Sequence, residues 1–123
     1  MRPVFQDNDF NCFQACLASL FETDLHDMPD FFRDGAENFD KAWQEWSSQN
    51  PEYSLLDVTY HTDVFDRFLK DQYVIVTGRS PRDSNILHSV IYRNGQLMHD
   101  PYKQESIGVT NPSLITLVIK KFM

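Results

Sequence analysis

The chain has 123 residues, 41% of them hydrophobic and 14% aromatic, a composition that supports one packed core and argues against disorder. With 11 basic against 18 acidic residues its formal net charge is −7, which argues against a nucleic-acid binder, since phosphate contacts need a basic face. No apolar run approaches the 18 residues a membrane span needs, and nothing near the N-terminus resembles a signal peptide. The expectation is one soluble cytoplasmic domain over residues 1–123, with two reduced cysteines rather than a disulfide.

In chain order, residues 1–10 are polar and extended. Residues 11–22 read as a helix with Phe13, Cys16, Leu17, Leu20 and Phe21 at three-and-four spacing, capped by Asn11 or Asp9. Residues 22–32 read as a turn region with room for a short helix. Residues 38–49 read as a second helix carrying Phe39, Trp43 and Trp46 on one side, stopped by Pro51. Residues 54–60 read as a strand, and residues 62–71 as a helix with Val64, Phe65, Phe68 and Leu69 inward. Four strands follow at 73–78, 87–93, 96–100 and 114–121. Helices first and strands later imply an α+β domain, helices packed on an antiparallel sheet.

The chemistry centres on Cys12, in the opening turn of the first helix. There the backbone N–H groups are unpaired and the helix dipole is positive, so a thiolate is favoured. A thiolate nucleophile also needs a base, a group that orients the base, and an oxyanion hole. His88 opens one predicted strand, Asp100 ends the next, and Gln6 lies six residues before Cys12.

The hairpin between those strands makes this testable. A two-residue Asn94-Gly95 loop pairs residue 93 with 96 and turns Asp100 away from His88. A three-residue loop pairs 92 with 96 and sets His88 opposite Asp100. A working triad therefore predicts the three-residue loop.

Gln6, then Cys12 within "NCFQACLASL", then "HSVIY" and "HDP", resembles the papain-like cysteine peptidases. The branch it is most similar to processes bacteriocin precursors with double-glycine leaders. The resemblance spans roughly residues 4–102. It implies the papain-like arrangement of a helix with the nucleophile at its N-terminus packed on a C-terminal antiparallel sheet. It also implies Cys12 as nucleophile, His88 as general base and acid, Asp100 as orienter of His88, and Gln6 in the oxyanion hole. Phe13 departs from the pattern, since the position after the nucleophile is often small there. Asp7 and Asp9 bring negative charge close to the thiolate, which opposes it.

The expected activity is hydrolysis of a peptide or isopeptide bond in a protein or peptide substrate, through an acyl-enzyme. The same residues suit acyl transfer to an amine, and the same scaffold suits a binding protein with an inert Cys12. Cys16, one turn deeper, is expected to be core, and His99 to face away from Asp100. A zinc site from Cys12, Cys16, His88 and His99 is set aside, because residues 99 and 100 face opposite ways and no second close pair exists. No metal or cofactor is expected. Arg79 and Arg82, in the loop Gly78–Asn85, are expected to be solvated; the second reading is that this loop borders the cleft and meets a substrate carboxylate or acidic segment.

Overall fold

A computed structural model describes residues 1–33 and 35–121; residues 34, 122 and 123 of the expected single domain lie outside the described residues. The fold is mixed α+β. Helices α1 (Cys12–Phe21), α2 (Phe39–Gln49) and α3 (Thr62–Arg67) accompany strands β1 (Tyr53–Thr59), β2 (Tyr73–Arg79), β3 (Leu87–Arg93), β4 (Gln96–His99) and β5 (Thr110–Lys120). All strand pairs are antiparallel, in the order β1-β5-β2-β3-β4. None of the described helices is long and apolar enough to cross a membrane.

Two apolar clusters sandwich the sheet. One joins Phe13, Cys16, Leu17, Met28 and Phe31 to Ile75 and Ile91, with Phe39, Trp43 and Trp46 packed against it. The other joins Phe65 and Leu69 to Val74, Val76, Val90 and Ile115. Alternate residues of β2 and β3 feed opposite clusters, so both strands are apolar on both faces. This is why they read as runs of Val and Ile rather than as alternating patterns.

Several expectations are corrected. Helix α1 is buried on every side from Cys12 to Ser19, not along one stripe. The sheet covers one flank. The N-terminal segment covers another, through Arg2 N–H to Ser19 C=O and Val4 N–H to Ser19 Oγ. The third helix ends at Arg67 instead of residue 71. Past it the chain turns so that Leu69 is buried and Phe68 is 74% exposed. The last strand starts at Thr110, four residues early. The sequence "TNPS" hid this, because Asn111 and Pro112 read as a turn. They occupy an irregularity where β5 steps out of register with β2 between Thr77 and Arg79.

The hairpin holds the most informative correction. Arg93 pairs with Gln96 across a two-residue Asn94-Gly95 loop, both at positive φ (53° and 79°), not the three-residue loop expected. Tyr92 then pairs with Leu97, and Ile91 with His99, so Met98 is an extra residue. This bulge shifts every later residue by one and restores to Asp100 the face that the loop alone would deny it.

Candidate active site

Cys12 is the first residue of α1 and the chain before it is tightly organised. Asn11, 2% exposed, is the residue before the helix, but no side chain caps the helix. Its Oδ1 instead accepts from the N–H groups of Asp7 and Asn8, and its Nδ2 donates to Asp7 Oδ1 (2.8 Å) and Gln14 Oε1. Gln14 in turn donates to the carbonyls of Leu25 and Met28. The Asn11 amide thus ties the loop before Cys12 to the segment after the helix. It leaves the first-turn N–H groups without a side-chain acceptor.

His88 lies 2% exposed on β3, and its Nε2–H donates to Asp100 Oδ1 at 2.7 Å. Asp100, 3% exposed, sits one residue past the end of β4 rather than in the strand as expected. Its carboxylate is held by two further donors, Tyr102 N–H on Oδ1 and Gly108 N–H on Oδ2, each at 2.9 Å. The Cys12 thiol is also near enough to the imidazole to act on its charge. With Nε2 committed to Asp100, Nδ1 is the ring nitrogen left for that thiol. The structure therefore brings Cys12, His88 and Asp100 together in one buried array.

The electrostatics follow from that array. Burial alone would lower the imidazole's pKa. The Asp100 and Cys12 hydrogen bonds and the charges of both partners overcome it and raise His88 from 6.5 to about 9. Burial likewise works to raise Asp100, and the bonds from His88, Tyr102 and Gly108 outweigh it, holding the carboxyl below its usual range. Asp7 does not stand as a bare charge beside the thiol. His26 Nε2–H donates to its Oδ2 at 2.7 Å, and this bond, with that from Asn11, lowers its pKa.

Gln6 is close to the array through its backbone, which donates to the carbonyl of Pro101 at 2.9 Å. Its side-chain Nε2 donates to Asn8 C=O, and its buried Oε1 has no partner. Its carboxamide is thus turned into the loop before Cys12, with one N–H free.

A cavity of about 390 Å³ opens at Cys12. Phe10, Phe13, Phe32 and Phe39 wall it, with Thr77, Ser89, Leu114 and Thr116 of the sheet beneath and Asp40 and Asp57 among its lining. The Phe13 ring packs against Phe32 and Phe39, with centroids 5.4 and 5.7 Å away. On the other side of Phe10 lies a smaller cavity, about 200 Å³, bordered by Ser80 and Arg82. The Arg82 guanidinium lies 3.3 Å over the Tyr102 ring, so this loop residue is engaged, and Arg79 ends β2 exposed.

Cys16 is core, fully buried in the α1 cluster. Burial, followed by the charges of Cys12 and Asp100, raises its thiol's pKa well above the ordinary value. Neither cysteine is in a disulfide. His99 turns from Asp100 to the carbonyl of Val4 (2.7 Å) and meets Phe5 edge-on. Among the described residues no group of three or more His, Cys, Asp or Glu is arranged to hold a metal. Sequence reasoning missed the backbone donors of Tyr102 and Gly108, and the carboxylates of the cavity; only the positive-φ demand met by Gly108 left a trace, a glycine in an otherwise polar loop. Comparison with protein-family models, with curated proteins and with solved structures finds no match for this chain.

Proposed function

We propose that this chain is a papain-like cysteine hydrolase that cleaves a peptide or isopeptide amide bond. One observation carries the reading. A single buried imidazole bonds a carboxylate through Nε2 and has a thiol at the N-terminus of a helix as its other neighbour, beside an open cavity.

In the reaction the Cys12 thiolate and His88 imidazolium form the resting pair. The sulfur attacks the amide carbonyl carbon, and the C=O electron pair moves to oxygen. The oxyanion rests on the Cys12 backbone N–H and the free N–H of the Gln6 carboxamide. Collapse breaks the C–N bond, and the His88 proton passes to the departing amine, leaving a thioester on Cys12. Neutral His88 then takes a proton from water, whose oxygen attacks the thioester carbon. The C–S bond breaks and the ion pair is restored. Asp100 fixes the ring and offsets its charge throughout, without itself taking a proton.

The test is site-resolved alkylation by iodoacetamide as a function of pH, with Cys16 as internal reference. Cys12 should react at pH 6–7, and His88→Ala should remove that reactivity, while Cys16 stays unmodified in the folded protein. Cys12 reactivity indifferent to His88→Ala would sink the proposal. An added amine nucleophile, with transfer products sought by mass spectrometry, separates acyl transfer from hydrolysis.

A further inference from the structure

The cavity beside Cys12 combines two kinds of wall that neutral ligands do not need together. Its sides are four phenylalanine rings, and Phe10 (73% exposed) and Phe32 (39%) stand at its rim. Its lining also includes two carboxylates from different elements, Asp40 of α2 and Asp57 of β1. Among the described residues neither forms an ion pair, and Asp57 accepts the Thr116 hydroxyl at 2.8 Å. Aromatic faces and carboxylates share one preference, for a cation carried on an apolar stem. An acidic ligand would meet two like charges. Two carboxylates without a third protein ligand make a poor cage for a metal ion. The chain's net charge of −7 favours approach of the same partner, a basic segment.

We infer that this cavity takes a lysine or arginine side chain of the substrate, so the site selects basic peptides. The inference rests on the hydrolase reading and supplies its substrate class. Sheet order fixes roughly where that residue lies. The cavity starts at Cys12 and Ser89 on the β3 side and crosses β2 and β5 to Asp57 on β1. Three inter-strand steps are about 14 Å. Allowing for the reach of a four-carbon stem, the basic residue sits roughly two or three positions along an extended chain from the bond attacked.

The experiment uses hexapeptides of alanine with one lysine, norleucine or glutamate moved through each position. Norleucine keeps the stem and lacks the ammonium. Affinity is read by titration calorimetry, and occupancy at the site by protection of Cys12 from iodoacetamide. Lysine peptides should bind and protect about tenfold better than norleucine peptides at their best position, with glutamate weakest. In Asp40→Asn/Asp57→Asn the lysine-to-norleucine ratio should fall to about threefold or less, a ratio that cancels any loss of folded protein. Equal binding of lysine and norleucine peptides, or a ratio unmoved by the double substitution, would overturn the inference. Alkylation that ignores His88→Ala would instead sink the hydrolase reading, and the calorimetric ratio would still decide what the cavity binds.

Discussion

Helix α1 carries two cysteines one turn apart, and they live in different chemistries. Cys12 opens the helix, borders a cavity and lies near enough to His88 to act on its charge. Cys16 is completely buried among Phe13, Leu17, Phe31, Ile75 and Ile91, and its thiol is held in the neutral form. The residue type is the same and the rise between them is only about 6 Å. The difference lies in what the fold brings to each: an imidazole and an uncapped helix end to one, hydrocarbon to the other. Burial separates them less than partnership does, since Cys12 is itself only 7% exposed.

The comparison breaks most sharply if the two cysteines are exchanged for inert residues. Cys12→Ala should abolish turnover, a loss of at least about 10³-fold, while leaving thermal stability nearly unchanged. Cys16→Ser should do the reverse. A hydroxyl among apolar side chains costs about 1–3 kcal/mol, seen as a lowered Tm, with activity per folded molecule retained. Turnover of a peptide substrate beside a melting curve for each variant checks both arms. Loss of activity in both, at full stability, would mean the two thiols act together.

Next in size is the Asp100 carboxylate that holds His88. Asp100→Ala removes the acceptor of His88 and of two backbone N–H groups, and should cost about 10²–10³-fold in kcat. Asp100→Asn keeps an oxygen for His88 and Tyr102 but turns an NH₂ toward the Gly108 N–H, and should fall between the two. If Asn matched wild type, the charge of Asp100 would not matter to the reaction.

The charges also set a pH window. His88 is raised to about 9, so the fold binds its proton more tightly than the unfolded chain does. That stabilisation is fully present below about pH 6.5 and is lost as pH climbs from there through 9. Asp100 is lowered, so its contribution is present above about pH 3.9 and fades as pH falls toward its folded value. The stability difference between wild type and His88→Ala should therefore be largest between about pH 4 and 6.5 and shrink above it. Cys12→Ala removes a hydrogen bond and a charge that raise His88, so its window should close at lower pH. Denaturant melts across pH 4–10 read this directly, and an upper edge unmoved by Cys12→Ala would show the pair to be uncoupled.

How much of this could be read beforehand depended on whether the signal was local. The place of Cys12 came from a helix start, and β2, β3 and the hairpin came from Val/Ile runs and Asn94-Gly95, all short-range features. The position of β5 between β1 and β2 came from nothing local, because it is a contact between distant segments. The hairpin shows the boundary well. Bringing Asp100 to the face of His88 requires one extra residue somewhere in the hairpin. The pattern told that much, and it assigned the residue to the loop. The chain instead keeps the tight loop and spends the extra residue at Met98, a position with no bulge signature in its side chain. The supports of Asp100 were hidden for a similar reason: they are backbone N–H groups, which no residue type announces.

The smallest expected effect falls on one of those supports. Gly108 adopts φ +75° and donates its N–H to Asp100 Oδ2. A Cβ there would meet only Leu97 Cδ2 at 3.4 Å, so space is not what requires glycine. The left-handed backbone is, at about 1–2 kcal/mol for an alanine. Gly108→Ala should therefore either lower stability by that amount, seen as a reduced Tm, or relax the loop and release the carboxylate. The second course would show as a several-fold slower, His88-dependent alkylation of Cys12. Gly108→Asn separates the two, because asparagine tolerates this conformation at less cost and keeps the same N–H. Recovery of both Tm and alkylation rate in Gly108→Asn would tie the orientation of His88, through Asp100, to the backbone of residue 108. Recovery of Tm alone would leave Tyr102 as the bond that matters.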